Sequence, residues 1–265
     1  MGAGAGIPVP LTGPSGEPLG SVGAWKQAMP ARVRDRWDKS AREIAESWAP
    51  QGAMPPEVVE LLAQRDELAD LTVEYARPEG TTAIDRYPGG GRSHDLLLAG
   101  TSAAGKVVIG IEAKTDEPFD SPVARYRERG LAKRANGENT NAPERLAGLI
   151  DCLFPAATRD PAAIDALGYQ LLSGAVGVLA EAQKRDAALA VFLVQEFGPG
   201  YDERKVAKNA QVLESFVDQL PGPATPRVTT PSGWLAGPFA CPGNGFIEQP
   251  VPLLVGKVRS RRRVR

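Results

Sequence analysis

The chain has 265 residues, of which 42% are apolar and 24% are charged, a composition typical of a globular protein. Its formal net charge of −1 excludes binding to nucleic acid through a whole-molecule positive field, so any phosphate contact must come from a local basic patch. Two cysteines without a C-x-x-C motif support neither a disulfide framework nor a zinc knuckle, and they predict a reducing compartment.

The amino-terminal part combines a Gly- and Pro-rich start with two predicted helices. Residues 1–22 lack a sustained apolar run, and we predict that they are disordered or loosely attached. The stretch SAREIAESWA (40–49) predicts a helix with Ser40 as its N-cap and Glu43 at the third helical position. A second helix is predicted over 55–65, with proline near its start.

Strand patterns dominate the next segment. Residues 71–80 predict an extended segment, and a Gly-rich turn runs from Pro88 to Gly91. Residues 93–114 predict two strands around a turn of small residues. The polar and basic stretch 121–140 has no clear periodicity, so no element is predicted there.

The second half of the chain alternates helices with a buried strand. Helices are predicted over 143–154, 159–185 and 201–220, and the apolar run 187–197 predicts the strand. Two further strands, GWLAGPF and PVPLLVGKV, are predicted near the carboxyl terminus, before the basic end RSRRRVR.

This order of elements predicts an α/β fold with one mixed sheet covered by helices. We divide the chain into a disordered segment over 1–22, a core domain over 23–220 and a carboxyl-terminal extension over 221–265. The extension would contain the two extra strands and the basic tail.

Side-chain alternation along the hairpin strands separates an apolar face from a charged one. In the second strand, Val107 to Ala113 place every odd-numbered side chain on a wholly apolar face. Glu112 and Lys114 fall on the other face. We therefore expect this strand to end with an acid and a base beside each other.

The hydrophobic pattern also selects a register for the hairpin. If the turn spans Gly100 to Gly105, Asp95 lies opposite Gly110 and one diagonal step from Glu112. Leu96 then lies on the apolar face, whereas a one-residue slip would move it to the polar face. The pattern thus predicts that Asp95, Glu112 and Lys114 converge.

His94, the only histidine, is expected to point to the face opposite Asp95 and to have a structural role. Since a Ser-His-Asp or Cys-His site would depend on it, a metal-independent hydrolase is disfavoured. The sequence GGGR (89–92) lacks the lysine and helix start of a phosphate-binding loop, so it is interpreted as a turn.

Two converging carboxylates beside a lysine predict a particular chemistry. Mg²⁺ suits an oxygen-rich site, where it keeps several waters and takes one or two protein carboxylates. A lysine nearby can help deprotonate a water or stabilise negative charge that develops on a phosphoryl group. Asp95 and Glu112 as metal ligands, with Lys114, therefore predict phosphodiester hydrolysis with Mg²⁺ or its substitute Mn²⁺.

The hairpin resembles the PD-(D/E)XK nuclease superfamily, whose signature is an acid on one strand followed by E-x-K on the next. Here the signature is Asp95 and then Glu112-Ala113-Lys114, and the resemblance covers roughly residues 40–200. It implies a restriction-endonuclease-like core, in which a preceding helix often brings a glutamate to the metal and a following helix carries a glutamine. Glu43 and Gln170 match those two positions.

Each of these assignments has a structural alternative. Glu112 and Lys114 also fit an ordinary pair of strand-end charges, Glu43 also fits a capping box, and Gln170 also fits a surface position. Gln170 shares one helix face with Gly174 and Gly177, and glycines there would let the helix approach the sheet closely.

A cluster of basic residues follows the E-x-K strand and could hold a phosphate backbone without reading its sequence. Its members are Arg125, Arg127, Arg129, Lys133 and Arg134. The alternative is a solvated loop.

The sequence therefore predicts a cytoplasmic, Mg²⁺-dependent endonuclease that acts on DNA, with restriction or defence as the role that the resemblance suggests. The alternative is a catalytically inactive module of the same fold that binds nucleic acid or a protein partner. No apolar run reaches the length of about 18 residues that a membrane span needs, so no membrane contact is expected. A homodimer is considered because many nucleases cut two strands as dimers.

Overall fold

The apolar strand patterns form one mixed sheet, which confirms the predicted α/β class. The computed structural model describes residues 6–34, 37, 39–222 and 227–261. Its strands are β1 (Thr72–Thr82), β2 (Arg92–Ser102), β3 (Gly105–Lys114), β4 (Leu189–Gly198), β5 (Val228–Thr230), β6 (Gly233–Phe239) and β7 (Leu253–Arg261). They lie in the order β1-β2-β3-β4-β7-β6-β5.

Helices cover both faces of this sheet. The described α-helices are α1 (Val22–Ala28), α2 (Ala31–Arg34), α3 (Lys39–Trp48), α4 (Pro56–Leu62), α5 (Val123–Ala135), α6 (Ala142–Leu153), α7 (Pro161–Ala166), α8 (Tyr169–Arg185) and α9 (Glu203–Gln219). A 3₁₀ turn spans Asp66–Leu68. Within the described ranges, no helix has the length and apolar composition needed to cross a membrane.

Strand direction brings several strand ends to one edge of the sheet. β1, β2 and β3 form an antiparallel meander, whereas β3, β4 and β7 run parallel to one another. The carboxyl ends of these three parallel strands therefore lie side by side. Crevices outside such strand ends are where ligands bind in open α/β sheets.

Helix α8 packs closely on one face of the sheet because two glycines face the strands. A Cβ at Gly174 would lie 2.6 Å from the ring of Phe192, and one at Gly177 would lie 2.6 Å from Nε2 of His94. The predicted glycine face of this helix is thereby confirmed. Helix α3 covers the other face, where Ile44 and Trp48 are fully buried.

The helix predicted over 159–185 is divided in two, with α7 ending before Leu167 and α8 starting after Gly168. A Cβ at Gly168 would lie 2.4 Å from the carbonyl oxygen of Phe119, so the chain after β3 passes directly against this position. Tertiary packing thus breaks a pattern that is helical throughout.

The stretch 121–140, for which no element was predicted, contains α5. This helix buries only Val123 and Gly130, and most of its other side chains face solvent. Because so few of its side chains are buried, this helix has no apolar stripe. Hydrophobic periodicity therefore could not predict it. Likewise Ser40 is not an N-cap: α3 begins at Lys39, and the Ser40 side chain bonds to Glu117 instead.

Segments outside the predicted core domain pack against it. Residues 6–22 are not disordered: Val9 N donates to Gly52 O at 2.8 Å, and Val9, Leu11 and Leu19 are buried in the core. The two carboxyl-terminal strands exist as predicted, but β7 lies inside the sheet between β4 and β6. The extension is therefore part of the domain.

Candidate functional site

The hairpin turn is shorter than predicted, and this moves the acids closer together. Ser102 pairs with Gly105 across a two-residue turn, so Leu97 pairs with Gly110. The predicted register, with Asp95 opposite Gly110, is wrong by two residues. Because an even shift keeps every side chain on its face, extending the observed register one step past its last pair, Leu96 with Ile111, would put Asp95 opposite Glu112 rather than diagonal to it.

Strand β2 separates from β3 at Asp95. The main-chain ladder ends at Leu96 and Ile111, and beyond it the amide of Ala113 donates to Oδ2 of Asp95 at 2.7 Å. A side-chain carboxylate thus takes the place of a main-chain acceptor. The carboxylate of Asp95 therefore lies beside the part of β3 that carries Glu112.

Glu112 lies at the centre of a buried ion network. Its carboxylate is 1% exposed and accepts a hydrogen bond from Nζ of Lys114 at 2.8 Å. Its other oxygen accepts from the guanidinium of Arg92. Lys114 is also buried, and its ammonium group lies 5.3 Å from the ring centroid of Phe119. The strand end is therefore a desolvated charge cluster rather than a solvated pair.

The surroundings of Asp95 disfavour its ionised form. Burial raises the pKa of Asp95 well above its usual range, and the nearby carboxylates of Glu112 and Glu79 raise it further. Lys114 and the amide of Ala113 oppose this rise without cancelling it. A second cation near Asp95 would stabilise its ionised form.

The position of His94 differs from the prediction. Its imidazole is fully buried against Gly177 and Gly110, on the α8 face that Glu112 shares, instead of on the opposite face. The alternation of β2 is therefore broken between Leu96, which packs on the other face, and His94. Glu79 in the neighbouring strand β1 has φ of 50°. Burial and the charge of Arg92 lower the pKa of His94 well below its usual range, so the ring is neutral.

Gln170 and Glu43, the two candidates on helices, have different contacts. Gln170 stands in the first turn of α8, and its main-chain amide donates at 3.4 Å to the carbonyl of Phe119, the residue whose ring packs on Lys114. Glu43 is buried in α3 and accepts a hydrogen bond from the Tyr201 hydroxyl at 2.7 Å. The catalytic roles of both residues stay predictions.

The basic cluster is divided between two faces of α5. Arg125, Arg129 and Lys133 follow one another at four-residue spacing and are exposed. Two members instead form ion pairs, Arg127 with Asp165 and Arg134 with Glu144, each at 2.5 Å. Arg134 is exposed as well, so what separates these two arginines from the other three is their pairing with acids.

A cavity of about 490 Å³ lies beyond Phe119, at the same edge of the sheet. Its lining includes Lys205 and Lys208 of α9 together with apolar atoms of Pro118 and Val212. Asp116 and Asp120 also line it, so its charged lining is balanced between two acids and two lysines.

The donor set at the cluster fits a small, hard cation. Within the described part of the chain, no group of three or more His, Cys, Asp or Glu side chains is arranged to hold a metal. Mg²⁺, however, needs only one or two protein carboxylates because it keeps several waters. Asp95 and Glu112 would supply these carboxylates.

Two site residues were missed by sequence reasoning. Arg92 ends the Gly-rich segment that was interpreted as a turn, and Glu79 lies in a strand for which no site role was considered. The carboxylate of Glu79 raises the pKa of Asp95, and no local sequence signal marks it. Strand alternation would place Arg92, three residues before Asp95, on the opposite face, so the local pattern does not mark it either.

Fold and site together define an α/β protein with a buried carboxylate–lysine cluster at the carboxyl ends of parallel strands. The family model described as "Domain of unknown function (DUF6946)" matches residues 18–260, so the chain belongs to that family. Comparison with curated proteins and with solved structures found no match. The cytoplasmic location and the homodimer stay predictions.

Proposed function

We propose that this protein is a metal-dependent nuclease of the PD-(D/E)XK type that hydrolyses phosphodiester bonds in DNA. One observation carries the proposal: at the end of β3, Ala113 N donates to Oδ2 of Asp95 at 2.7 Å and Nζ of Lys114 lies 2.8 Å from Oε1 of Glu112. The superfamily signature requires these residue types at this place.

The order of elements supports the same proposal. Helix α3 precedes the three-stranded meander, α8 packs on it, and the buried strand β4 then runs parallel to β3. This is the succession that the resemblance implies for a restriction-endonuclease-like core. Glu43 and Gln170 occupy the helices that precede and follow the hairpin.

In this proposal Asp95 and Glu112 hold a Mg²⁺ ion, which stabilises the negative charge that develops on the phosphoryl group. Lys114 orients the attacking water and donates to the developing charge, and its burial strengthens that interaction. The hydrogen bond from Ala113 N holds Asp95 in position, while the ring of Phe119 supports the Lys114 ammonium group.

Cleavage of DNA in defined metals tests the proposal. We expect the protein to nick or cut supercoiled, linear or single-stranded DNA in Mg²⁺ or Mn²⁺ and to be inactive in EDTA. Asp95→Ala should lower the rate by about 10²-fold or more, because it removes a metal ligand. If cleavage persists in EDTA, or if Asp95→Ala cuts as fast as the wild type, the proposed site is wrong.

A second function, binding without catalysis, is favoured by one observation. Both oxygens of Glu112 accept hydrogen bonds from basic side chains, Lys114 and Arg92, so the site satisfies this carboxylate internally. A module of this kind would bind nucleic acid or a protein partner through its surface. It would show no Mn²⁺ binding that depends on Asp95 and Glu112.

The exposed face of α5 gives a prediction for DNA binding under either function. Replacing Arg125, Arg129 and Lys133 together by alanine should weaken binding to a short duplex, measured by fluorescence anisotropy in EDTA. The slope of log K against log salt should fall in magnitude by up to about 3, since each lost phosphate contact contributes about 0.9.

The matched control for this experiment is the double variant Arg127→Ala/Arg134→Ala, which removes the two arginines already paired with acids. It should leave the salt slope almost unchanged. Equal effects of the two variants would show that α5 does not contact DNA through its exposed face.

A further inference from the structure

The guanidinium of Arg92 has a buried hydrogen-bond donor without a partner among the described residues. Its Nη2 donates to Glu112, and its side chain is only 14% exposed. Its Nε is buried and has no hydrogen-bond partner among the described residues. Burying a donor without a partner costs about 1–3 kcal/mol, so this guanidinium is not fully satisfied by the surrounding chain.

The surroundings of Arg92 contain further unpaired polar atoms. Both ring nitrogens of the adjacent His94 are buried without a partner in the described part of the chain. The Cγ atom of Arg92 packs on Gly177, where a Cβ would lie 2.9 Å away. A bulkier residue in α8 would close this space, so the fold keeps room for the arginine stem beside Glu112.

The ion pair of Arg92 has a direct consequence for a divalent cation. The guanidinium occupies one of the two oxygens of Glu112, and its positive charge stands next to the place where a cation would bind. Arginine is always ionised in proteins, so this competition is present at every working pH. The planar guanidinium also matches phosphate oxygens, which it binds through two parallel hydrogen bonds.

We infer that Arg92 is a further substrate-binding residue of this site, which pairs with Glu112 until a divalent cation and a phosphodiester replace that contact. This inference rests on the proposed nuclease function. The cation would take the Glu112 oxygen, and the released guanidinium would use its free donors, Nε included, on the phosphate. Arg92 would thus lower the affinity for metal alone and raise the affinity for metal together with DNA.

Mn²⁺ binding without DNA tests the first half of the inference. Titration calorimetry should show that Arg92→Gln binds Mn²⁺ about tenfold more tightly than the wild type, a coupling of ordinary size. Arg92→Lys, which keeps the charge, should remain within a few-fold of the wild type. Arg86→Gln is the control, since Arg86 is exposed on the connection before β2 and its Nη2 donates to the carbonyl of Gly245.

DNA binding with Ca²⁺ as a non-cleaving cation tests the second half. Arg92→Gln should bind a short duplex more weakly than the wild type, with a salt slope smaller by about 1. Thermal melts of each variant establish that it is folded.

The outcomes separate the inference from the proposed function. Equal or weaker Mn²⁺ binding by Arg92→Gln would overturn the inference and leave the nuclease proposal standing. An unchanged DNA salt slope would overturn the role of Arg92 in phosphate binding. If neither the wild type nor Arg92→Gln binds Mn²⁺, the metal-dependent function itself fails, and the inference fails with it.

Discussion

Replacing Lys114 by methionine is expected to reduce the rate of Mg²⁺-dependent DNA cleavage by about 10³-fold, the size of effect seen when a positioned acid–base or charge-stabilising group is lost. Methionine keeps most of the aliphatic stem that lies beside Phe119 but removes the ammonium group. Single-turnover cleavage with enzyme in excess would measure the chemical step directly.

The effect of Lys114→Met on metal binding should have the opposite sign. Glu112 loses one of its two cationic partners, so its affinity for Mn²⁺ should be equal to or greater than that of the wild type. Loss of cleavage together with intact Mn²⁺ binding would assign Lys114 to the chemical step. Loss of both would show instead that the lysine only maintains the shape of the site.

Lys106→Met provides the matched control on the same strand. Lys106 stands near the start of β3, is 59% exposed and lies 3.9 Å from Asp186. Its replacement should change neither cleavage nor stability, because exposed pairs of this kind contribute little. A loss of cleavage in Lys106→Met comparable to that in Lys114→Met would contradict a site-specific role for Lys114.

The sequence alone predicts which strand residues share a face of the sheet, because side chains alternate along a strand. Alternation of apolar residues placed Leu96 and Ile109 on one face and Glu112 on the other, and that division is observed. The register itself depends on turn length. The pattern of small residues from Gly100 to Gly105 fits turns of different length, and only tertiary structure selects the shortest.

Other features depended on contacts distant in sequence. The break at Gly168 follows from the approach of Phe119, and His94 lies against Gly177 of α8 although strand alternation predicts the other face. Strand β7 enters the sheet beside β4, more than 50 residues earlier in the chain, and no local pattern predicts that neighbour. Sequence periodicity therefore predicts which residues share a face, but not which strands meet.

The two acids of the site are expected to affect stability with opposite signs. Glu112→Gln leaves the buried Lys114 and Arg92 without their counter-ion. Removing one partner of a buried ion pair costs about 3–5 kcal/mol. For a chain of this size we expect a fall in Tm of roughly 10 °C, at about 2–4 °C per kcal/mol. Differential scanning calorimetry in EDTA measures this change.

Asp95→Asn should instead stabilise the protein at neutral pH. Because the pKa of Asp95 is raised in the folded state, the native protein binds this proton more tightly than the unfolded chain does. Stability from Asp95 is therefore full below the unfolded pKa of about 3.9, and it falls as pH rises through the folded pKa. Asparagine has no such proton and can still accept from Ala113 N.

The difference in unfolding free energy between Asp95→Asn and the wild type should thus grow as pH rises above about 4 and be largest above the raised pKa of Asp95. Urea titrations in EDTA across pH 4 to 8 would measure it. Mn²⁺ should reverse the order, because bound ligand stabilises only the form that keeps the carboxylate. A destabilised Asp95→Asn with no Mn²⁺ effect would mean that Asp95 is a structural acceptor for Ala113. A stabilised variant that loses the Mn²⁺ effect would mean that the fold tolerates an unfavourable carboxylate because the cation needs it.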